Sequence, residues 1–324
     1  MSINVGIIGT GRIYKSHLAA LNRIEEVRIT AVCDILPDVL ADSAKGISAK
    51  PYADYRKMLD REKLDAVWIC TPANVHTENA LYCIEKKIPF FLEKPVAMSE
   101  KEGDEVAEKI RKTGIYHSVG YQSRYSPIVA KLKELLASEQ VIFPAAEYFW
   151  TIPLVDSIKS KENAGGQIVD QATHFVDLLR YLLGEVKSVY TGRSRGFFPE
   201  EKLYTGDDAS GTVFEFESGI SGNLVCTYAL FVSITKYFPG KIRFICKKKL
   251  IEYAGEKLNV FTDGKQETIE KTADVRFLED KAFIDGLKNR DSSGIKSPYE
   301  DALKTLKVCL AANRSMETGE KVVL

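Results

Sequence analysis

Over the first 120 residues the apolar positions fall into short unbroken runs, with stretches of helical spacing between them. Residues 3–8, 27–33, 66–70, 89–92 and 117–120 read as strands covered on both faces. Residues 13–21, 38–45, 54–60, 76–86 and 99–113 read as helices, the last opened by the capping box Ser99-x-x-Glu102. Strand alternating with helix predicts a parallel, doubly wound sheet.

After residue 121 the pattern changes. Ser126-Pro127 opens a helix, 145–150 reads as a strand, and 170–183 as a helix closed by Gly184. From 186 to 269 mostly strands are expected, with turns such as Ser218-Gly219 and Thr262-Asp263-Gly264 between them. Ser297-Pro298-x-Glu300 starts a last helix with Leu303, Leu306 and Leu310 on one face. The chain of 324 residues is therefore expected to be α/β with two domains: a doubly wound domain at 1–120, and an α+β domain at 121–324 with a large, mostly antiparallel open sheet. In that sheet Val213 alternates with Phe214 and Phe216, and Val225 with Leu224 and Cys226, so both faces carry apolar groups. An outer face of this kind predicts a homodimer or homotetramer.

Lys+Arg and Asp+Glu both number 45, so no net field attracts nucleic acid or an anionic membrane. The one tight basic run, Lys247-Lys248-Lys249, reads as a solvated strand end. Six cysteines stand singly without a C-x-x-C, which fits small hydrophobes in a reducing compartment and argues against a zinc site or a disulfide scaffold. The N-terminal apolar run is shorter than a signal h-region and no stretch reaches membrane-spanning length, so the cytoplasm is the expected location.

The first strand runs straight into Gly9-Thr10-Gly11, and the second ends at Asp34. This order is the sequence form of a dinucleotide-binding βαβ unit. The glycine turn admits a pyrophosphate to bare backbone, the amides opening the next helix at Arg12 and Ile13 face the phosphates, and the carboxylate takes the ribose hydroxyls. A carboxylate there repels a 2′-phosphate, and no Arg or Lys stands in the ten residues after Asp34, so NAD is expected over NADP. The third glycine of the fingerprint falls on Tyr14, which implies a wider helix–strand contact or a ring turned outward.

In open α/β sheets ligands lie beyond the carboxyl ends of strands, which brings Thr71, Pro72, Asn74 and His76 to the cofactor edge. Asn74 either caps the next helix or touches the cofactor, and His76 reads as structural before binding. The strand at 89–92 ends in Glu93-Lys94-Pro95. A lysine there would hydrogen-bond a substrate hydroxyl and stabilise the alkoxide that forms before hydride leaves. In the second domain, Gly165-Gly166 precedes Asp170, His174 and Asp177, spaced to share a helix face. Histidine moves protons near neutral pH and a carboxylate one turn away can orient it. A polar helix face is the competing reading. The chain holds only four histidines, and no third ligand at metal spacing is visible, so no metal is expected.

These stretches together resemble the Gfo/Idh/MocA oxidoreductase family, which includes inositol dehydrogenases and glucose–fructose oxidoreductase. The residues that carry the resemblance are Val5 to Arg12, Cys70-Thr71-Pro72 with His76, Glu93-Lys94-Pro95, Gly120-Tyr121-Gln122-Ser123-Arg124, Asp170 with His174, and Ala311 to Ser315. The resemblance implies a Rossmann domain followed by an open-sheet domain, catalytic roles for Lys94, Asp170 and His174, cofactor contacts that include Glu93, Lys94 and Gln122, and association through the sheet. Tyr14, Ala164 and Ala172 depart from the family pattern, where smaller residues are commoner, without removing a chemical group.

The resulting expectation is an NAD-dependent oxidoreductase that moves a hydride between nicotinamide and a secondary alcohol or ketone of a sugar, cyclitol or sugar derivative. An NAD-dependent glycosidase working by transient oxidation is one alternative. A non-catalytic dinucleotide-binding regulator is another, and Lys94 with His174 argues against it. Specificity is expected in the loops Thr151–Asn163 and Phe231–Pro239, with Tyr148 and Trp150 either facing sugar or packed in the core.

Overall fold

The structure is a computed structural model that describes residues 2–45, 47–238 and 240–324; Pro239, the end of one expected specificity loop, lies outside them. The chain forms two compact units, Met1–Gln122 with Asp274–Leu303, and Ser123–Ala273 with Lys304–Leu324. The sequence boundary falls beside the first junction, whereas the return of 274–303 to the first unit carries no sequence signal.

In the first unit β1 (Ile3–Ile8), α1 (Arg12–Leu21), β2 (Val27–Cys33), α2 (Pro37–Ala44), β3 (Lys50–Tyr52), α3 (Tyr55–Arg61), β4 (Ala66–Ile69), α4 (His76–Glu85), β5 (Phe90–Leu92), α5 (Glu100–Thr113) and β6 (His117–Val119) follow in order. The strands form one parallel sheet in the order β3-β2-β1-β4-β5-β6. The order reverses between β1 and β4, the place where such sheets open a crevice at their carboxyl edge. The edge strand β3 is absent from the apolar pattern because it is Lys50-Pro51-Tyr52, and a proline without an N–H is tolerated only at an edge. Ser99 caps α5 by accepting the Glu102 amide (3.3 Å), as the capping box predicts.

Trp68 stacks on Phe91 with centroids 5.6 Å apart, and Phe283 of the helix Val275–Asn289 meets Trp68 edge-on at 5.0 Å. That helix therefore supplies part of the core. Tyr14 does not turn outward as one reading expected. It is buried in the same cluster, and its hydroxyl donates to the Ser43 carbonyl (3.2 Å).

In the second unit β7 (Val141–Phe149), β8 (Val186–Ser194), β9 (Ala209–Phe216), β10 (Ser221–Thr227), β11 (Lys241–Cys246), β12 (Lys249–Ala254), β13 (Lys257–Thr262), β14 (Lys265–Glu270) and β15 (Val322–Val323) form a nine-stranded sheet. The order is β14-β13-β12-β11-β7-β10-β9-β8-β15, and only β7–β10 among the pairs is parallel. Phe214, Phe216, Leu224 and Cys226 point to the buried face. The helix Tyr299–Thr318 is tied to that sheet by Ser315, whose Oγ accepts the Thr191 amide (2.9 Å).

The expected helix over 170–183 is two. Residues Gln167–Asp170 and Thr173–Leu183 are helical, and between them the Ala172 amide reaches back five residues to the Gln167 carbonyl (2.9 Å). This wide turn changes the angular relation of Asp170 to His174 from that of an unbroken helix. All six cysteines are buried and free, and burial pushes the Cys33 thiol up to about 12.

Candidate active site

The β1–α1 turn shows two different uses of glycine. Gly9 has φ +86°, and a Cβ there would stand 2.7 Å from the Cys70–Thr71 peptide, so conformation and space both demand glycine. Gly11 has φ −72°, which any residue adopts, and among the described residues no atom beyond its chain neighbours lies within 4 Å of the place its Cβ would take. Its missing side chain leaves room for a group from outside the chain. Gly11 is the N-cap of α1 and makes no side-chain cap bond, so the amides of the first turn, from Arg12 and Ile13 on, stay open to an anion. That open cradle fits the pyrophosphate of a dinucleotide.

Asp34 braces the turn. Its Oδ2 accepts from the Thr10 amide (2.7 Å) and hydroxyl (3.1 Å), and its Oδ1 accepts from the Leu36 amide (3.0 Å). Beside it Ile35 and Leu36 are 82% and 56% exposed, an apolar surface next to the carboxylate. Leu36 is the N-cap of α2.

Beyond β4 the Thr71 hydroxyl donates to Asn79 (3.0 Å), and Pro72 and Asn74 are exposed. The N-cap of α4 is Val75 without a side-chain bond, so Asn74 does not cap that helix. His76 is buried, with Nδ1 2.7 Å from the Pro95 carbonyl and Nε2 2.8 Å from the Thr71 carbonyl. Burial holds its proton affinity low. The neutral ring sits between the β4 loop and the β5 loop and donates to one of the two carbonyls.

Glu93 also turns inward. Its Oε1 accepts from His17 Nε2 (3.0 Å) and Arg276 Nη1 (2.6 Å), and its Oε2 accepts the Lys94 amide (3.1 Å). The carboxylate is thus engaged inside the protein. Burial would raise its pKa, but the Arg276 guanidinium and His17 hold it far below the usual carboxylate range. Lys94 follows it, half-buried, at the carboxyl end of the sheet. The Lys94–Pro95 peptide is cis. Gln122 is half-buried in a short 3₁₀ turn after β6.

In the second unit, Gly165 and Gly166 take φ +76° and +78° and turn the chain into residues 167–170. Asp170 Oδ2 accepts from the buried Tyr228 hydroxyl (3.1 Å). Burial and the Asp170 charge push the Tyr228 phenol well up, so it stays a neutral donor. Asp177 does not join Asp170 and His174. It is buried in a two-bond pair with Arg124 (2.6 and 2.8 Å) and also accepts from Thr305 (3.0 Å). Tyr148 and Trp150 are half-buried and 6.3 Å apart, and Tyr148 meets Phe175 edge-on. Sequence reasoning missed His17, Arg276, Asp280 and Tyr228. The scarcity of histidines could have pointed to His17; nothing marked the other three.

Residues 3–121 match the family profile described as oxidoreductase family, NAD-binding Rossmann fold, and residues 140–249 match the GFO/IDH/MocA C-terminal domain. The chain is 30% identical to the uncharacterized oxidoreductase YrbE of Bacillus subtilis over 220 residues, 67% of this chain and 64% of that protein. It is 26% identical to the myo-inositol 2-dehydrogenase of Thermotoga maritima, covering 99% and 98% of the two chains. Among solved structures it superposes on a levoglucosan dehydrogenase in complex with NADH and levoglucosan (TM-score 0.88, 20% identity, 100% and 99% covered). It also superposes on the WlbA dehydrogenase of Bordetella pertussis in complex with NADH and UDP-GlcNAcA (TM-score 0.86, 22% identity, 100% and 99% covered). These likenesses establish the fold.

Proposed function

The chain belongs to the Gfo/Idh/MocA oxidoreductase family, and from that premise we propose that it is an NAD-dependent dehydrogenase of a secondary alcohol on a sugar, cyclitol or sugar derivative. The observation that carries the reading is the carboxyl edge of the first sheet. The open cradle at Gly11, the carboxylate at Asp34 and the ammonium of Lys94 all follow strands of that one sheet. Relatives named for inositol and levoglucosan support the substrate class.

Gly9, Thr10, Gly11, Arg12 and Ile13 would hold the pyrophosphate, Asp34 the ribose hydroxyls, and Thr71, Pro72, Asn74 and Gln122 would line the cofactor. Bound NAD supplies the hydride acceptor. Lys94 binds the substrate oxygen and stabilises its negative charge. His174 accepts the hydroxyl proton, and Asp170, held by Tyr228, orients substrate or histidine. Among the described residues no helix is long and apolar enough to cross a membrane, and the six free thiols support a reducing, cytoplasmic setting. Screening polyols, sugars and nucleotide sugars for NAD reduction tests the reading. If none supports reduction and NAD itself fails to bind, it falls.

A further inference from the structure

One cluster of buried ionisable groups in the first unit is not used by the proposed chemistry. His17 Nδ1 lies 2.9 Å from both oxygens of Asp280, and its Nε2 lies 3.0 Å from Glu93 Oε1. Both ring nitrogens face carboxylates, which favours an imidazolium that donates to both, although Arg276 Nη1 stands 3.3 Å from Nε2 and opposes that charge. Arg276 Nη1 donates to Glu93 Oε1 (2.6 Å) and to Glu279 Oε2 (3.2 Å), and the indole of Trp68 donates to Asp280 (3.1 Å). On the remaining side a Cβ at Gly120 would stand 3.0–3.2 Å from the Glu93 carboxylate, so bare backbone closes around it.

We infer that His17 and Arg276 are positioning residues for Lys94, acting through the Glu93 carboxylate they share with its backbone amide. Glu93 Oε1 is fixed by the two cationic donors, which leaves Oε2 aimed at the Lys94 N–H (3.1 Å). On the other side of Lys94 the Pro95 carbonyl lies 2.7 Å from His76 Nδ1. The backbone that carries the ammonium is therefore held before it by Glu93 and flanked after it by the buried His76 ring. Burying five charged or chargeable side chains is costly, and apolar packing would stabilise a core as well. The cluster ends on the one residue whose ammonium the chemistry needs in place. Three of its members, Arg276, Glu279 and Asp280, come from the helix that returns to this unit late in the chain.

The inference rests on Lys94 being catalytic, so the test separates the two. Arg276→Met should lower kcat about 10- to 100-fold, the scale set by small misplacements of a reacting group, with NAD affinity unchanged and partial recovery in Arg276→Lys. In lysine-selective nitrogen-15 spectra, the Lys94 amide, assigned by its loss in Lys94→Arg, should shift and exchange faster in Arg276→Met and in His17→Gln. An unmoved Lys94 amide in the folded variants overturns the inference. So does an Arg276→Met effect on kcat that is as large in a Lys94→Met background as in the wild type. Should Lys94→Met alone keep full turnover, the catalytic reading fails, and the amide signal still decides the positioning. If Arg276→Met does not fold, the charge-balanced pair Arg276→Met with Glu279→Gln carries the same measurements.

Discussion

The Asp34 carboxylate accepts the Thr10 amide at 2.7 Å and the Thr10 hydroxyl at 3.1 Å, so the residue assigned to the ribose also braces the phosphate turn. Charge and brace can be separated by substitution. Asp34→Asn keeps an acceptor for Thr10 but loses the repulsion of a 2′-phosphate, so it should narrow the preference for NAD while the turn holds. Asp34→Ser with Ile35→Arg should move preference toward NADP and weaken both cofactors. A buried amide left unpaired costs roughly 1–3 kcal/mol, about 5- to 150-fold in affinity. Calorimetric titration with both cofactors measures this, and wild-type NADP binding as tight as NAD would remove the assigned role of Asp34.

Lys94→Ala and His174→Ala should each lower kcat by about 10²–10⁴-fold, the usual contribution of a positioned acid–base group, with far smaller loss of NAD affinity. Steady-state kinetics on the identified substrate, with NAD binding measured separately, gives the comparison. Near-normal turnover in His174→Ala would leave its helix face with a structural role only.

Much of the first unit is legible in the sequence because buried parallel strands are written as continuous apolar runs. β1 and β2 fall where the pattern places them, and α5 starts at its capping box. The edge strand β3 is lost because three residues with a central proline carry no period. The helix 275–289 is lost because its role in the core depends on long-range contacts such as Phe283 against Trp68. At the candidate site, residue types at strand ends are readable, whereas the direction of a side chain is not. Glu93 and His76 look like edge residues in sequence, yet both turn inward, since the partners that draw them in, Arg276, His17 and the Pro95 carbonyl, lie far apart in the chain or on the backbone. Asp177 shares helical spacing with His174 but pairs with Arg124, a contact no local spacing reveals.

Stability should depend on pH through His17 and Glu93. Burial alone would lower the pKa of His17, but the Asp280 charge and the hydrogen bonds to Asp280 and Glu93 leave it raised. A raised folded pKa gives stability that is fully present below the unfolded value of about 6.5 and is lost as pH rises through the folded one. Glu93 is lowered, so its contribution is present above about 4.3 and is lost as pH falls further, through its depressed folded pKa. Thermal melts should therefore show Tm declining on the alkaline side from about pH 6.5 in the wild type. In His17→Gln that decline should flatten while Tm is lower overall. Equal alkaline slopes in the two proteins would show that His17 does not carry the dependence.

The outer face of the nine-stranded sheet predicts self-association. Register places Val213 of β9 opposite Tyr190 of β8 and Asn223 of β10, so these side chains project on the same side. Val213, Tyr190 and Val225 are 49%, 49% and 41% exposed, while their strand neighbours Phe214 and Leu224 are buried. Exposed apolar side chains on an open sheet face are suited to a partner surface. A two-fold axis through the sheet would bury these side chains against their own copies, the simplest closed solution. We therefore expect a homodimer, or a homotetramer built from it. Val213→Lys with Val225→Lys places like charges where the two copies would meet, so it should shift the protein toward monomer while leaving the inward-facing core intact. Light scattering at micromolar concentration should give a multiple of 36.2 kDa for the wild type and a mass near the single chain for the double variant. A wild-type mass of one chain would mean that this face is left to water.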